Sequence, residues 1–147
     1  MKNQAPWPVT GMRLMVLILA LWNGLRLSTA LLNWSTLAEM APQPGPLYIA
    51  GSASLWILAC AAVAYAIRRR NAQSQAFYAL LVLGYLIWWW ADRLLFSQTE
   101  RPNWPFTLAI TVILLLDTLA NYLNKTAKDY FTQRESHDQQ HSNQPTP

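Results

Sequence analysis

Four long apolar stretches alternate with short polar gaps along the chain. They cover residues 14–33, 47–67, 76–96 and 104–123. Each is close to the length of about 20 residues that a helix needs to cross the roughly 30 Å hydrocarbon core of a bilayer. Strands of a membrane β-barrel would be about half as long and would alternate in polarity, which none of these stretches does. The pattern therefore predicts an all-α integral membrane protein, a bundle of four transmembrane helices.

The gaps carry residues that end or begin helices. Residues 42–46 read Pro-Gln-Pro-Gly-Pro, and a helix cannot continue there because proline lacks an N–H donor and clashes with the preceding turn. Thr36 and Glu39 have capping-box spacing, which allows a single helical turn just before this run. In the last gap we expect Asn103 to be the N-cap and Pro105 to lie in the first turn of the fourth helix.

Composition supports a lipid environment. Of the 147 residues, 53% are hydrophobic and only 12% are charged, about half the charge of an average soluble domain. We assign residues 1–125 to a single transmembrane domain. Residues 126–147 form a polar tail, which we expect to be disordered in the cytoplasm because it has too little apolar surface to fold.

Basic residues predict the orientation. Cytoplasmic loops carry an excess of lysine and arginine, so we expect both termini to be cytoplasmic in the cell membrane. Tyr48 and Tyr78, near span ends, are expected to be interface anchors. The side with both termini holds Lys2, Arg13, Arg68, Arg69, Arg70, Lys125, Lys128 and Arg134, whereas the other holds Arg93 and Arg101.

The first stretch has an alternative interpretation. Basic residues before residue 14, with Ser28 and Ala30 as small residues further on, are also typical of a cleaved secretory signal. The apolar stretch resumes after Arg26 and makes a full span, which favours a retained helix.

Polar residues inside the spans are the main candidates for function, because burying them in hydrocarbon costs free energy unless they find partners or line a wet cavity. In the fourth span, five polar residues fall within an arc of about 120° on a helical wheel. This face predicts either a polar path or ligand site along the bundle axis, or hydrogen bonds between helices, which contribute about 0.6 kcal/mol each. The five are Thr107, Thr111, Asp117, Thr118 and Asn121.

The depth of each polar residue in the bilayer indicates which side chains can contact one another. At about 1.5 Å per residue, Arg26 should lie about 6 Å outward of the midplane and Asp92 about 9 Å outward. We therefore predict an Arg26–Asp92 ion pair surrounded by Asn23, Tyr85 and Trp88. The alternative is that Arg26 and Arg93 bind an anionic headgroup between tryptophan walls that include Trp88.

Asp117 should lie about 5 Å inward of the midplane and has no partner at that depth in this scheme. We expect it either to be reached by the snorkelling side chain of Arg13 or Arg68 or to remain unpaired as a proton-relay candidate. Arg68, Arg69 and Arg70 are candidates for binding lipid headgroups. The net charge of +4 thus indicates a lipid partner and not a nucleic acid.

The sequence contains no catalytic constellation that we can identify. His137 and His141 lie in the tail, so no histidine can ligate haem in a span, and Cys60 is the only cysteine. We expect neither cofactor nor metal. The sequence favours a non-catalytic structural or accessory protein that packs with other membrane subunits or with itself. The alternative is a small oligomeric transporter, channel or lipid-binding protein with a polar interior.

Overall fold

The computed structural model describes residues 7–40, 45–96 and 104–124, and these ranges contain helices and no strand. Four of the helices are long and apolar enough to cross a membrane. The chain is therefore an all-α, four-helix, multi-pass membrane protein, as the sequence predicts. The helices are α1 (Trp7–Leu32), α2 (Trp34–Met40), α3 (Pro46–Arg68), α4 (Ser74–Phe96) and α5 (Trp104–Leu123).

The first helix begins earlier than the apolar pattern predicts. It begins at Trp7, and its first turns place Val9 and Met12 in the core with no exposed surface. Apolar length alone misses these turns because Arg13 interrupts the run. Asn33 separates α1 from α2, and its carbonyl accepts the Leu37 N–H at 2.9 Å. α2 thus begins before Thr36, and the Thr36–Glu39 spacing does not mark its start.

Both ends of α3 follow from local chemistry. Pro46 is its first residue, where the missing N–H costs nothing. At its end, Arg70 has a φ of 53°, and its N–H donates to the Ile67 carbonyl at 3.2 Å. The Asn71 N–H donates to the Ala66 carbonyl at 3.2 Å. This pair of bonds is a Schellman motif, which turns the chain tightly into α4.

Packing follows chain order. α1 packs most closely on α3, α3 packs on α4, and α4 packs on α5, whereas α5 touches α1 only slightly. Neighbouring helices are antiparallel, so we call the end with the start of α1 and the end of α3 the basic end, and the opposite end the aromatic end. Core residues come from all four long helices. They include Val16, Leu19, Cys60, Val63, Ile67, Leu81, Val82 and Leu114.

The two faces of α5 are separated as the sequence predicts. Its polar residues are buried or half-buried, and its opposite face exposes a row of apolar side chains. These surfaces suit lipid, because lipid tails solvate leucine as well as other protein atoms do. The exposed row contains Leu108, Val112, Leu115, Leu119 and Leu123. The expected N-cap Asn103 and the tail at 126–147 lie outside the described residues.

Candidate functional site

Arg26 of α1 is the centre of a polar cluster in the aromatic-end half of the bundle. Its guanidinium carbon lies 4.7 Å from the ring centroid of Trp88 on α4. The indole Nε1–H of Trp88 donates to the Tyr48 hydroxyl of α3 at 3.2 Å. Asp92 is a hydrogen-bonding neighbour of the same hydroxyl, and the charges of Arg26 and Asp92 both act on it. Arg26 thus contacts the indole of Trp88, and the Tyr48 hydroxyl lies between that indole and Asp92.

The geometry differs from the predicted ion pair. Arg26 and Asp92 lie in the same cluster, but within the described ranges no salt bridge joins them, and Arg26 Nη1 and Asp92 Oδ1 lack hydrogen-bond partners. Stacking on an indole suits the flat, weakly hydrated guanidinium, so Trp88 takes the place that the sequence assigned to Asp92. Asp92 lies about one turn nearer the aromatic end, beside Tyr48.

A buried aromatic group extends the cluster towards the middle of the bundle. Tyr85 is only 5% exposed, and its ring lies 5.1 Å from that of Trp56 and 5.6 Å from that of Trp88. Its hydroxyl lies near Asn23 and within electrostatic range of Arg26. Asn23 is fully buried and donates its Nδ2–H to the Leu19 carbonyl at 2.8 Å. Trp88 contacts Arg26 directly, whereas Asn23 lies about one turn before Arg26 on α1 and Tyr85 about one turn before Trp88 on α4.

Five buried polar atoms of this group have no hydrogen-bond partner among the described residues. Buried polar atoms are usually paired, so such a concentration is informative. The set contains the cationic donor of an arginine, a neutral indole donor, a hydroxyl and two acceptors. The atoms are Asn23 Oδ1, Arg26 Nη1, Trp56 Nε1, Tyr85 Oη and Asp92 Oδ1. We call the residues Asn23, Arg26, Tyr48, Trp56, Tyr85, Trp88 and Asp92 the Arg26 cluster.

A second polar region joins α4 to α5, and its groups are hydrogen-bonded. Near the aromatic end, Trp90 Nε1–H donates to Thr111 Oγ1 at 3.2 Å. Nearer the basic end, the Tyr78 hydroxyl donates to the Asp117 carboxylate. We call this line of contacts the α4–α5 seam. Asp117 thus takes its partner from α4, and not from Arg13 or Arg68.

The rest of the α5 polar face is also satisfied. The Gln75 side-chain amide donates to the main-chain carbonyl of Asn121 across the seam at 3.2 Å. The Asn121 side-chain amide donates to the main-chain carbonyl of Asp117 at 2.9 Å. Thr111 and Thr118 donate their hydroxyls to carbonyls of their own helix, at 2.9 and 2.7 Å. Such back-bonding is an ordinary way to bury a threonine in an apolar helix. The face therefore has the chemistry of a helix contact.

The residues predicted to bind headgroups are divided between the two ends. Arg68 and Arg69 are exposed and Arg70 is half-buried at the basic end. The Arg69 guanidinium carbon lies 5.2 Å from the Tyr65 ring centroid. Arg93 is half-buried in the last turn of α4, at the aromatic end. The arginines therefore form two separate groups.

Sequence reasoning misses five residues that make the two polar regions. The sequence pattern assigns Tyr48 and Tyr78 to the interfaces, and it does not single out Trp56, Gln75 or Trp90. Depth matching could have found Tyr78, since α4 and α5 are antiparallel and Tyr78 and Asp117 lie at similar distances from the basic end. Depth alone does not select the Tyr48 hydroxyl, because that depends on which face of α3 meets α4.

Within the described residues, no group of three or more histidine, cysteine, aspartate or glutamate side chains could hold a metal ion. Comparison with known proteins finds no family, no curated protein and no solved structure that matches this chain.

Proposed function

We propose that the protein is a non-catalytic accessory protein of the cell membrane that packs beside another transmembrane helix, from another membrane subunit or from a second copy. The proposal includes cytoplasmic termini, and it is supported by Arg13 and Arg68, which share one end of the bundle with the Arg69–Arg70 pair. The α4–α5 seam supports a structural role for the polar face of α5, since its groups bind one another.

One observation carries the packing proposal. An apolar groove of about 400 Å³ runs between α3 and α4, and Ala59, Ala62 and Ala66 line it together with Phe77 and Leu80. The alanines recur at spacings of three and four, so they share one face of α3. Small residues let the backbone of a neighbouring helix approach closely, and the resulting van der Waals packing is one of the forces that drive helices together in lipid.

Filling the groove tests this proposal. Ala62→Trp places a large side chain at an exposed position in the groove, and Val112→Trp makes a similar surface change on the lipid-facing side of α5. We expect Ala62→Trp to abolish the self-association or the stoichiometric co-purification of the wild type after extraction in mild detergent. Val112→Trp should preserve it. An unchanged assembly in Ala62→Trp, or equal losses in both variants, would reject the groove as the contact.

The Arg26 cluster favours a second candidate, an oligomeric binding or transport protein for a molecule or lipid headgroup that carries both charges. Arg26 would bind the anionic group, and Asp92 the cationic one. This candidate predicts that a zwitterionic solute or lipid raises the thermal stability of the wild type and not that of Asn23→Leu. If no such compound distinguishes the two proteins, the cluster serves packing alone.

A further inference from the structure

A second groove, between α1 and α3, differs from the α3–α4 groove because arginines stand at its end. It encloses about 520 Å³, and apolar side chains including Val16, Ala20, Cys60 and Ala64 form its walls. Arg13 and Arg68 also line it. Both arginines are exposed, and none of the described residues that line the groove is acidic. An apolar channel with two cations at one end matches an amphiphile that has an anionic head.

The dimensions of the groove match one leaflet of a bilayer. Arg13 lies in the second turn of α1 and Arg68 is the last residue of α3, so both belong to the basic end. Ala20 lies about 10 Å deeper than Arg13, and Ile57, also in the wall, lies about 16 Å deeper than Arg68, at 1.5 Å per residue. One leaflet contributes about half of the roughly 30 Å hydrocarbon core. The groove therefore reaches from the headgroup level to about the bilayer midplane.

We propose that this groove binds an anionic phospholipid of the basic-end leaflet, with one acyl chain along α1 and α3 and the phosphate between Arg13 and Arg68. The site is distinct from general attraction to a basic surface, because Arg69 stacks on Tyr65 and does not line the groove. It is also independent of the partner helix proposed for the α3–α4 groove, since the two grooves have no lining residue in common within the described ranges.

Native mass spectrometry of the purified protein with equimolar phosphatidylglycerol and phosphatidylcholine tests the proposal. We expect one phosphatidylglycerol to bind in preference to phosphatidylcholine. Arg13→Gln and Arg68→Gln should each weaken its binding about fivefold, the equivalent of about 1 kcal/mol per basic residue near the surface. Arg69→Gln removes the same charge one residue outside the groove and should change binding less than twofold.

A groove-filling variant distinguishes the contribution of the acyl chain to lipid binding from that of the headgroup. Ala64→Trp leaves both arginines intact and should weaken phosphatidylglycerol and phosphatidylcholine alike, with Ala61→Leu as the smaller change if the tryptophan variant does not fold. Equal weakening by Arg69→Gln and Arg68→Gln would overturn the proposal in favour of diffuse electrostatic attraction. Unchanged binding in folded Ala64→Trp or Ala61→Leu would also overturn it, because no acyl chain would then occupy the groove.

Discussion

The hydrogen bond between Tyr78 and Asp117 gives the sharpest test of the α4–α5 seam. The Tyr78 side chain is only 1% exposed, and its hydroxyl donates to the Asp117 carboxylate. Tyr78→Phe removes this hydroxyl and leaves the rest of the ring in place, so a half-buried carboxylate loses its donor. Interhelical hydrogen bonds in lipid average about 0.6 kcal/mol and reach about 1.7 kcal/mol, and bonds to charged groups lie at the upper end. We expect a loss of about 1.5 kcal/mol in unfolding free energy.

A double-mutant cycle isolates this contact from other effects of the substitutions. Tyr78→Phe, Asp117→Leu and the double variant would be unfolded in mixed micelles by titration with sodium dodecyl sulfate, followed by circular dichroism. The double variant should lose about 1.5 kcal/mol less than the sum of the single losses. Tyr65→Phe, which removes the same hydroxyl from an exposed residue of α3, should stay within about 0.5 kcal/mol of wild type. Additivity within about 0.5 kcal/mol would refute the contact.

Three further changes test other parts of the structure. Arg26→Ala should lower the folded yield in membranes more than the double variant Arg26→Ala/Asp92→Asn, because the single change leaves a partly buried carboxylate without a nearby cation. A loss in the double variant that equals or exceeds the loss in Arg26→Ala would contradict this. Arg70→Gly should stabilise the protein by about 1 kcal/mol in thermal unfolding, since a φ of 53° strains residues that have a Cβ atom; a lower melting temperature would contradict it. Thr111→Val should cost about 1 kcal/mol in the same assay because the Trp90 indole loses its acceptor, and an unchanged melting temperature would count against that bond.

Much of the fold could be predicted from the sequence because lipid imposes a simple rule. A helix must be apolar over the thickness of the bilayer, so α3 and α5 appear within one residue of their observed bounds. The start of α1 is missed because Arg13 interrupts the apolar run, although Val9 and Met12 before it are buried. The two faces of α5 follow from helical periodicity and were predicted correctly.

The polar sites could be predicted only in part. Because the rise per residue of a helix is fixed, the depth of each residue in the bilayer can be estimated from the sequence. These estimates place four residues at similar depths: Asn23, Arg26, Tyr85 and Asp92. They did not reveal that Arg26 stacks on Trp88, because rotation of each helix about its axis depends on packing. The partner of Asp117 was missed for a related reason. The sequence prediction considers only arginines as partners of the Asp117 carboxylate, whereas in the structure its partner is the hydroxyl of Tyr78.

We propose that the polar face of α5 holds the bundle together and does not conduct water or solute. Single cysteines at Thr111, Asp117 and Thr118, on a Cys60→Ala background, would be exposed to a water-soluble maleimide in intact membranes. We predict protection at all three positions, with rapid labelling of a control cysteine at Arg69, which is exposed at the basic end. Labelling of the three α5 positions at a rate near that of the control would reveal a water-filled path and contradict the account.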